Sequence, residues 1–241
     1  MKNTSDNKGT TSRTSGSHKP SPKTPQEVVL FDLDRTLVSG DTASLWMRYE
    51  FERGGIARSR LMQVAWWKLQ YTFGAVDAQH VATSALRWFA GREVSDLKRT
   101  CVESFKQSVR PRISQEARAT VKQWQERGAM MVIVTAASRF VATHVADDLE
   151  IPDLLCTELE VEDGKLTGNT TGGLCYGEGK VARAKSFLES RGKALEDAAV
   201  YTDSITDLPL LDACGTPVCI NPDPRLRRLA KKRGWSIERW G

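Results

Sequence analysis

Five polar side chains stand at or just past the ends of apolar runs in this 241-residue chain, and a lysine lies between two of those segments. Val28–Phe31 leads directly into Asp32, and Asp34 follows two residues later. Met130–Val134 leads into Thr135 and Ala136, while "AAVYTD" ends at Asp203 with Asp207 one helical turn beyond. Lys180 lies between these last two segments, in "GEGK". Two carboxylates about 4 Å apart repel by about 4 kcal/mol at an effective dielectric near 20. Four carboxylates gathered at one edge therefore require cations. Oxygen donors of this kind suit a hard ion such as Mg²⁺. One Mg²⁺ together with Lys180 brings such a site near neutrality, so that a phosphate dianion can approach. The chemistry indicated is a carboxylate–metal–phosphate site.

The elements that must position these residues follow from the periodicity. Val28–Phe31, Met130–Val134, "AAVYTD" and "TPVCI" read as short buried strands. Helical patterns separate them: Ala117, Val121 and Trp124 after a Ser114 cap, Val141, Val145 and Leu149, and Val181, Ala184 and Leu188. Asp223-Pro224 opens a last helix that Gly234 ends, and Asp163-Gly164 in "VEDGKLTG" signals a hairpin. Alternating strands and helices imply an α/β fold, a Rossmann-like parallel sheet covered by helices. Ligands in such sheets bind beyond the carboxyl ends of the strands. All the polar residues above would share that edge. Between about Thr42 and Val109 the period is helical, with faces at Val81, Ala82, Ala85, Leu86 and Phe89 and at Leu97, Cys101, Val102 and Phe105, the latter behind a Ser95 cap. A mostly helical cap inserted after the first strand is expected. The expected organisation is a disordered tail over 1–25, an α/β core over 26–41 and 113–241, and a helical cap over 42–112.

Composition narrows the function classes. The formal charge is +5, but residues 1–25 hold Lys2, Lys8, Arg13, Lys19 and Lys23 against Asp6 alone, so the remainder is close to neutral. The basic run Arg225–Arg233 reads as a solvated helix face, and no nucleic-acid partner is expected. Five cysteines without a C-x-x-C pair or metal-ligand spacing suggest a reducing, cytoplasmic setting. No apolar stretch is long enough to span a membrane.

The four segments, in this order, resemble those of the haloacid dehalogenase superfamily of aspartyl phosphohydrolases. "DLDRTL" is similar to its D-x-D-x-T motif, "VTAAS" to its Ser/Thr motif, Lys180 to its lysine, and "DSITD" to its acidic motif. The helical insert is similar to the cap of the phosphoserine-phosphatase-like branch. The resemblance covers roughly residues 27–240. It implies that Asp32 is the nucleophile and that Asp34 is the general acid, then the base that activates water. It also implies that Asp32, Asp203 and the Asp34 backbone carbonyl hold Mg²⁺, with Asp207 orienting the metal's water shell or Lys180. Thr135, the Ala136 N–H and Lys180 would hold the phosphate. Asp34, beside other carboxylates, should have a raised pKa, as an acid at neutral pH needs. Two positions depart from the pattern: Arg35 and Thr202 each stand where glycine is common.

Residues of the cap carry alternatives. Asp41 lies where phosphoserine phosphatases place an acid against the substrate amine, yet it also fits an N-cap for "TASLWMRYEFER". Arg87 and Arg92 could meet a substrate carboxylate. Trp66-Trp67 fits packing inside the cap or a lipid-facing surface; His80 and His144 read as structural, and His18 lies in the tail. The expectation is a Mg²⁺-dependent phosphomonoester hydrolase acting on a small phosphorylated metabolite. Alternatives are a phosphatase for a phospholipid headgroup at a membrane surface, or a phosphotransferase using the same intermediate.

Overall fold

The structure, a computed structural model, describes residues 28–60, 62–63, 66 and 83–241. The tail over 1–25, His18, Trp67, His80 and the Val81–Ala82 part of the cap face lie outside the described residues.

Strands β1 (Val28–Phe31), β2 (Met130–Ser138), β3 (Asp153–Glu162), β4 (Lys165–Thr171), β5 (Ala198–Thr202), β6 (Thr216–Ile220) and β7 (Ser236–Glu238) form one sheet in the order β4-β3-β2-β1-β5-β6-β7. In β1, Val29 and Phe31 point into one apolar cluster, while Val28 and Leu30 point into a second on the opposite face. This period of two, with every side chain buried, is the signature of a strand covered on both sides. Phe31 pairs in parallel with Ile133 of β2 and Tyr201 of β5. That register brings Asp32, Thr135 and Asp203 out at the same edge.

Helices α1 (Thr42–Glu52), α2 (Val94–Ser104), α3 (Gln115–Glu126), α4 (Arg139–Asp148), α5 (Glu178–Glu189), α6 (Leu208–Ala213) and α7 (Pro224–Arg233) are set largely by local signals. The Ser114 hydroxyl accepts from the Ala117 N–H at 3.0 Å and opens α3. Asp223 accepts from Arg225 and Leu226 N–H at 2.8 and 3.0 Å and opens α7, and Gly234 closes it in a left-handed conformation, φ 68°. The basic side chains Arg225, Arg228, Lys231, Lys232 and Arg233 are exposed along α7, as expected of a solvated face.

The sheet is mostly parallel as expected, and β4 runs antiparallel to β3 as the expected hairpin requires. Asp163 and Gly164 both take positive φ, 48° and 77°, and this two-residue turn sends the chain straight back. Ser95 does not cap α2. The helix begins two residues earlier than such a cap implies, after Glu93 and without a side-chain cap, and the Val94 N–H donates to the Gly164 carbonyl at 2.9 Å. The hairpin tip thus satisfies a backbone donor in the first turn of α2.

That contact is part of a longer seam. Gly91 and Leu166 exchange backbone bonds with the chain opposite, Gly91 N–H to Leu166 O at 2.8 Å and Leu166 N–H to Arg92 O at 2.9 Å. Leu159 and Leu166 of the hairpin pack with Trp46, Ile56, Phe89, Leu97 and Cys101 of the cap in a third apolar cluster. The helical cap after β1 is therefore joined to the core by a hairpin as well as by its two chain connections.

Candidate active site

The centre of the site is a buried lysine between two buried carboxylates. Lys180 Nζ donates to Asp32 Oδ1 at 2.6 Å and to Asp207 Oδ2 at 2.8 Å. These residues come from the first turn of α5, the end of β1 and the segment after β5, 148 and 27 positions apart in sequence. Burial alone would push the Lys180 ammonium down, but Asp207 and Asp32 hold it well above the ordinary lysine value. The lysine stays charged. Burial pushes Asp32 up to about 6, against the lowering pull of Lys180 and with a further rise from Asp207.

Asp34 and Asp203 complete the acidic rim. Burial is the main reason Asp34 rises to about 7, followed by the charges of Asp41 and Asp32; the Thr42 N–H, donating to Asp34 Oδ1 at 2.7 Å, pulls the other way. The direction matches the sequence expectation, but the leading cause is burial. Asp203 rises to about 8 through burial and then the charge of Asp32, with Arg35 acting against the rise. Arg35 sits at φ 60°, which explains why glycine suits this turn. Its exposed side chain places a positive charge within reach of Asp203.

The donor set fits a divalent cation. Asp32 and Asp203 are both buried, and the charge of Asp32 raises the cost of ionising Asp203. Asp207 Oδ1 is buried without a hydrogen-bond partner, an acceptor available to a metal-bound water. Among the described residues no three His, Cys, Asp or Glu side chains form a ready cage. Two carboxylates and a carbonyl, with water in the remaining positions, are what Mg²⁺ accepts.

The Thr135–Ala136 segment of β2 lies beside this rim. Thr135 is buried, and its hydroxyl accepts from the Ala137 N–H at 3.1 Å. The Ala136 carbonyl is pinned by the Thr157 hydroxyl of β3 at 2.8 Å, and Thr157 in turn accepts from the Cys175 N–H at 3.1 Å. Sequence reasoning missed Thr157, because a lone threonine in a strand carries no spacing signal. Thr202 stands where glycine is common, and it does not merely fill space. Instead its hydroxyl donates to Asp207 Oδ2 at 2.6 Å, the same oxygen that meets Lys180.

The cap residues divide differently. Asp41 is the N-cap of α1, accepting from the Ser44 N–H at 2.7 Å. Arg87 lies in a short 3₁₀ turn, Arg87–Phe89, with its side chain exposed. Arg92 is engaged with Glu50 at 3.1 Å and Asp96 at 2.7 Å and lies over the Trp46 ring. His144 stacks near Phe105, centroids 5.6 Å apart, a packing role. Between cap, hairpin and core lies a cavity of about 210 Å³, bordered by Ala136 of the core and by Thr42 at the start of α1.

The sequence profile of haloacid dehalogenase-like hydrolases matches residues 29–212. Histidinol-phosphatase from Neisseria meningitidis is 29% identical over 218 residues, covering 88% of this chain and 98% of that protein. Phosphoserine phosphatase SerB1 from Mycobacterium tuberculosis is 31% identical over 231 residues, 92% of this chain and 73% of that protein. A Bordetella pertussis protein of unknown function has a crystal structure superposing with a TM-score of 0.81 at 30% identity, over 89% of this chain and 98% of that one.

Proposed function

The chain belongs to the haloacid dehalogenase-like hydrolases, and from that premise we propose that it is a Mg²⁺-dependent phosphomonoester hydrolase working through an aspartyl-phosphate. The observation that carries this reading is the buried Asp32–Lys180–Asp207 bridge at the edge where Asp34, Thr135 and Asp203 emerge. The proposed division is a core of 26–41 and 113–241 and a cap of 42–112. Asp32, Asp203 and the Asp34 carbonyl would hold the ion, which when bound offsets the negative charge of carboxylates and phosphate.

The residues then act in two steps. An Asp32 carboxylate oxygen attacks phosphorus as the ester P–O bond breaks, and Asp34 gives its proton to the departing alkoxide. Asp34, now a carboxylate, takes a proton from water, whose oxygen attacks phosphorus and breaks the Asp32–phosphorus bond. Phosphate leaves, and both aspartates return to their starting states. Lys180, the Thr135 hydroxyl and the Ala136 N–H meet the phosphoryl oxygens on which charge gathers. An Asp34 pKa of about 7 suits a group that must give and regain a proton near neutrality.

Hydrolysis of para-nitrophenyl phosphate with and without Mg²⁺ tests the reading. Turnover should require the ion and fall by about 10⁴ or more in Asp32→Asn, with circular dichroism unchanged. Wild-type-like rates in that variant remove Asp32 as nucleophile. Addition of glycerol as acceptor separates hydrolysis from phosphotransfer by the ratio of alcohol to phosphate released.

A further inference from the structure

The phosphate end of the substrate is read by the rim, but the alcohol end must be read by what adjoins it. That is the cavity under the cap, whose described lining includes Trp46, Met47, Phe89, Val141, Leu159 and Leu174. No Asp, Glu, Lys, Arg or His is among the described lining residues. Among the described residues of the cap and its entrance, several charged groups are engaged elsewhere. Glu50 is buried against Arg53 and Arg92, and Asp41 caps a helix. An amino-acid phosphate would bring an ammonium and a carboxylate into this space and leave both without a partner.

We infer that the cavity takes an apolar leaving group, so that the preferred substrate is the phosphomonoester of a hydrophobic alcohol, a ring or chain of about six to eight carbons. This rests on the phosphatase reading of the rim. The size follows from the volume: a dry cavity of about 150 Å³ binds benzene, and this one measures about 210 Å³. Its position follows from shared walls. Ala136 borders both the cavity and the proposed phosphate position, and Thr42, whose N–H meets Asp34, borders it too. A phosphomonoester placed for attack by Asp32 would therefore direct its ester carbon toward an apolar space.

The test is calorimetric titration of the full chain, with Mg²⁺, using methyl-, butyl-, hexyl- and phenylphosphonate and 2-amino-3-phosphonopropionate. Affinity should rise about threefold to fourfold per methylene up to hexyl, with the amino-acid analogue at least tenfold weaker than butyl. A flat series, or tightest binding by the amino-acid analogue, overturns the inference. Val141→Phe adds ring volume to the cavity and should flatten the series. Leu159→Phe serves as a second such variant, and a chain-length dependence that survives in both when folded places the chain elsewhere and overturns it. Para-nitrophenyl phosphate turnover reports separately on the rim: its absence beside an intact phosphonate series removes the hydrolase and keeps the cavity. Vesicles of phosphatidylcholine with phosphatidate distinguish the source of the hydrophobic ester. Faster phosphate release from them than from free hexyl phosphate overturns a soluble substrate of this size, and the reverse order supports it.

Discussion

The acidic rim and the cavity under the cap adjoin at Ala136 and Thr42 and are opposites in chemistry. At the rim, polar groups far apart in sequence bind one another, and Lys180 alone links two distant carboxylates. In the cavity, the described lining is mostly apolar and carries no charged side chain. The rim is specified group by group, since each buried charge needs a particular partner at a particular atom. The cavity is specified by volume and apolarity, which many residue sets supply equally well.

The strongest way to break this contrast is to remove the lysine. Lys180→Met leaves Asp32 and Asp207 buried without their common cation. Breaking such a pair costs about 3–5 kcal/mol, and loss of a charge at the phosphoryl position should lower kcat by about 10²–10³. Chemical denaturation and steady-state kinetics measure the two losses. A variant as active as the wild type would show that the bridge is structural only.

Metal addition should act on the rim and spare the cavity. Asp32, Asp34 and Asp203 are raised from an ordinary 3.8 to about 6, 7 and 8. In the metal-free fold these groups hold protons that the unfolded chain has already released. Their penalty is absent at low pH and grows as pH rises from about 4 to about 8. A cation that binds the ionised forms therefore stabilises more at pH 8 than at pH 6. At a hundredfold excess over Kd the gain is about 2.7 kcal/mol, or roughly 5–10 °C in Tm for a chain of this size. Equal shifts at the two pH values, or none, would take the cation out of this site.

A smaller change sharpens the division within the rim itself. Thr202→Val keeps shape but removes the donor to Asp207 Oδ2, leaving Lys180 to hold that oxygen. A lost bond to a charged acceptor costs about 1–3 kcal/mol. The expected result is a kcat lowered about tenfold with KM little changed, because Asp207 positions the lysine and does not meet the leaving group. A larger effect on KM would assign Thr202 to substrate binding.

Most of the rim was legible in sequence because Asp32, Asp34, Thr135, Asp203 and Asp207 follow apolar runs, and strand ends in an alternating fold converge. Lys180 follows no such run and opens a helix, so it was legible only through the resemblance of its place in the motif order. Thr157 and the bonding of Thr202 were not legible, since a hydroxyl in a strand gives no sign of which backbone or carboxylate it will face. The β3–β4 hairpin was visible through Asp163-Gly164, but its reach into the cap was not. Leu159 and Leu166 read as ordinary alternating strand residues, and only the fold shows that they close the cavity opposite Trp46 and Phe89. Helix periodicity predicts which faces are apolar without saying that two of them will leave a space between them.

Asp41 lies on the border between the two regions, and its substitution gives the smallest expected effect. It is a helix cap, and its charge also raises Asp34. Asp41→Ser keeps a capping oxygen for the Ser44 N–H, so stability should change by only a few tenths of a kcal/mol. It removes a negative charge near Asp34, so the Asp34 pKa should fall. An acid that must be protonated then loses its proton earlier, and the alkaline limb of the kcat profile should move to lower pH, by less than about one unit. If Asp41 instead pairs with an ammonium on the substrate, KM for amino-acid phosphates should rise at least tenfold in this variant while KM for para-nitrophenyl phosphate stays level. A shifted pH limb with no such selectivity leaves the apolar cavity as the only reader of the alcohol among the described residues. A tenfold selective loss would return part of that reading to the rim.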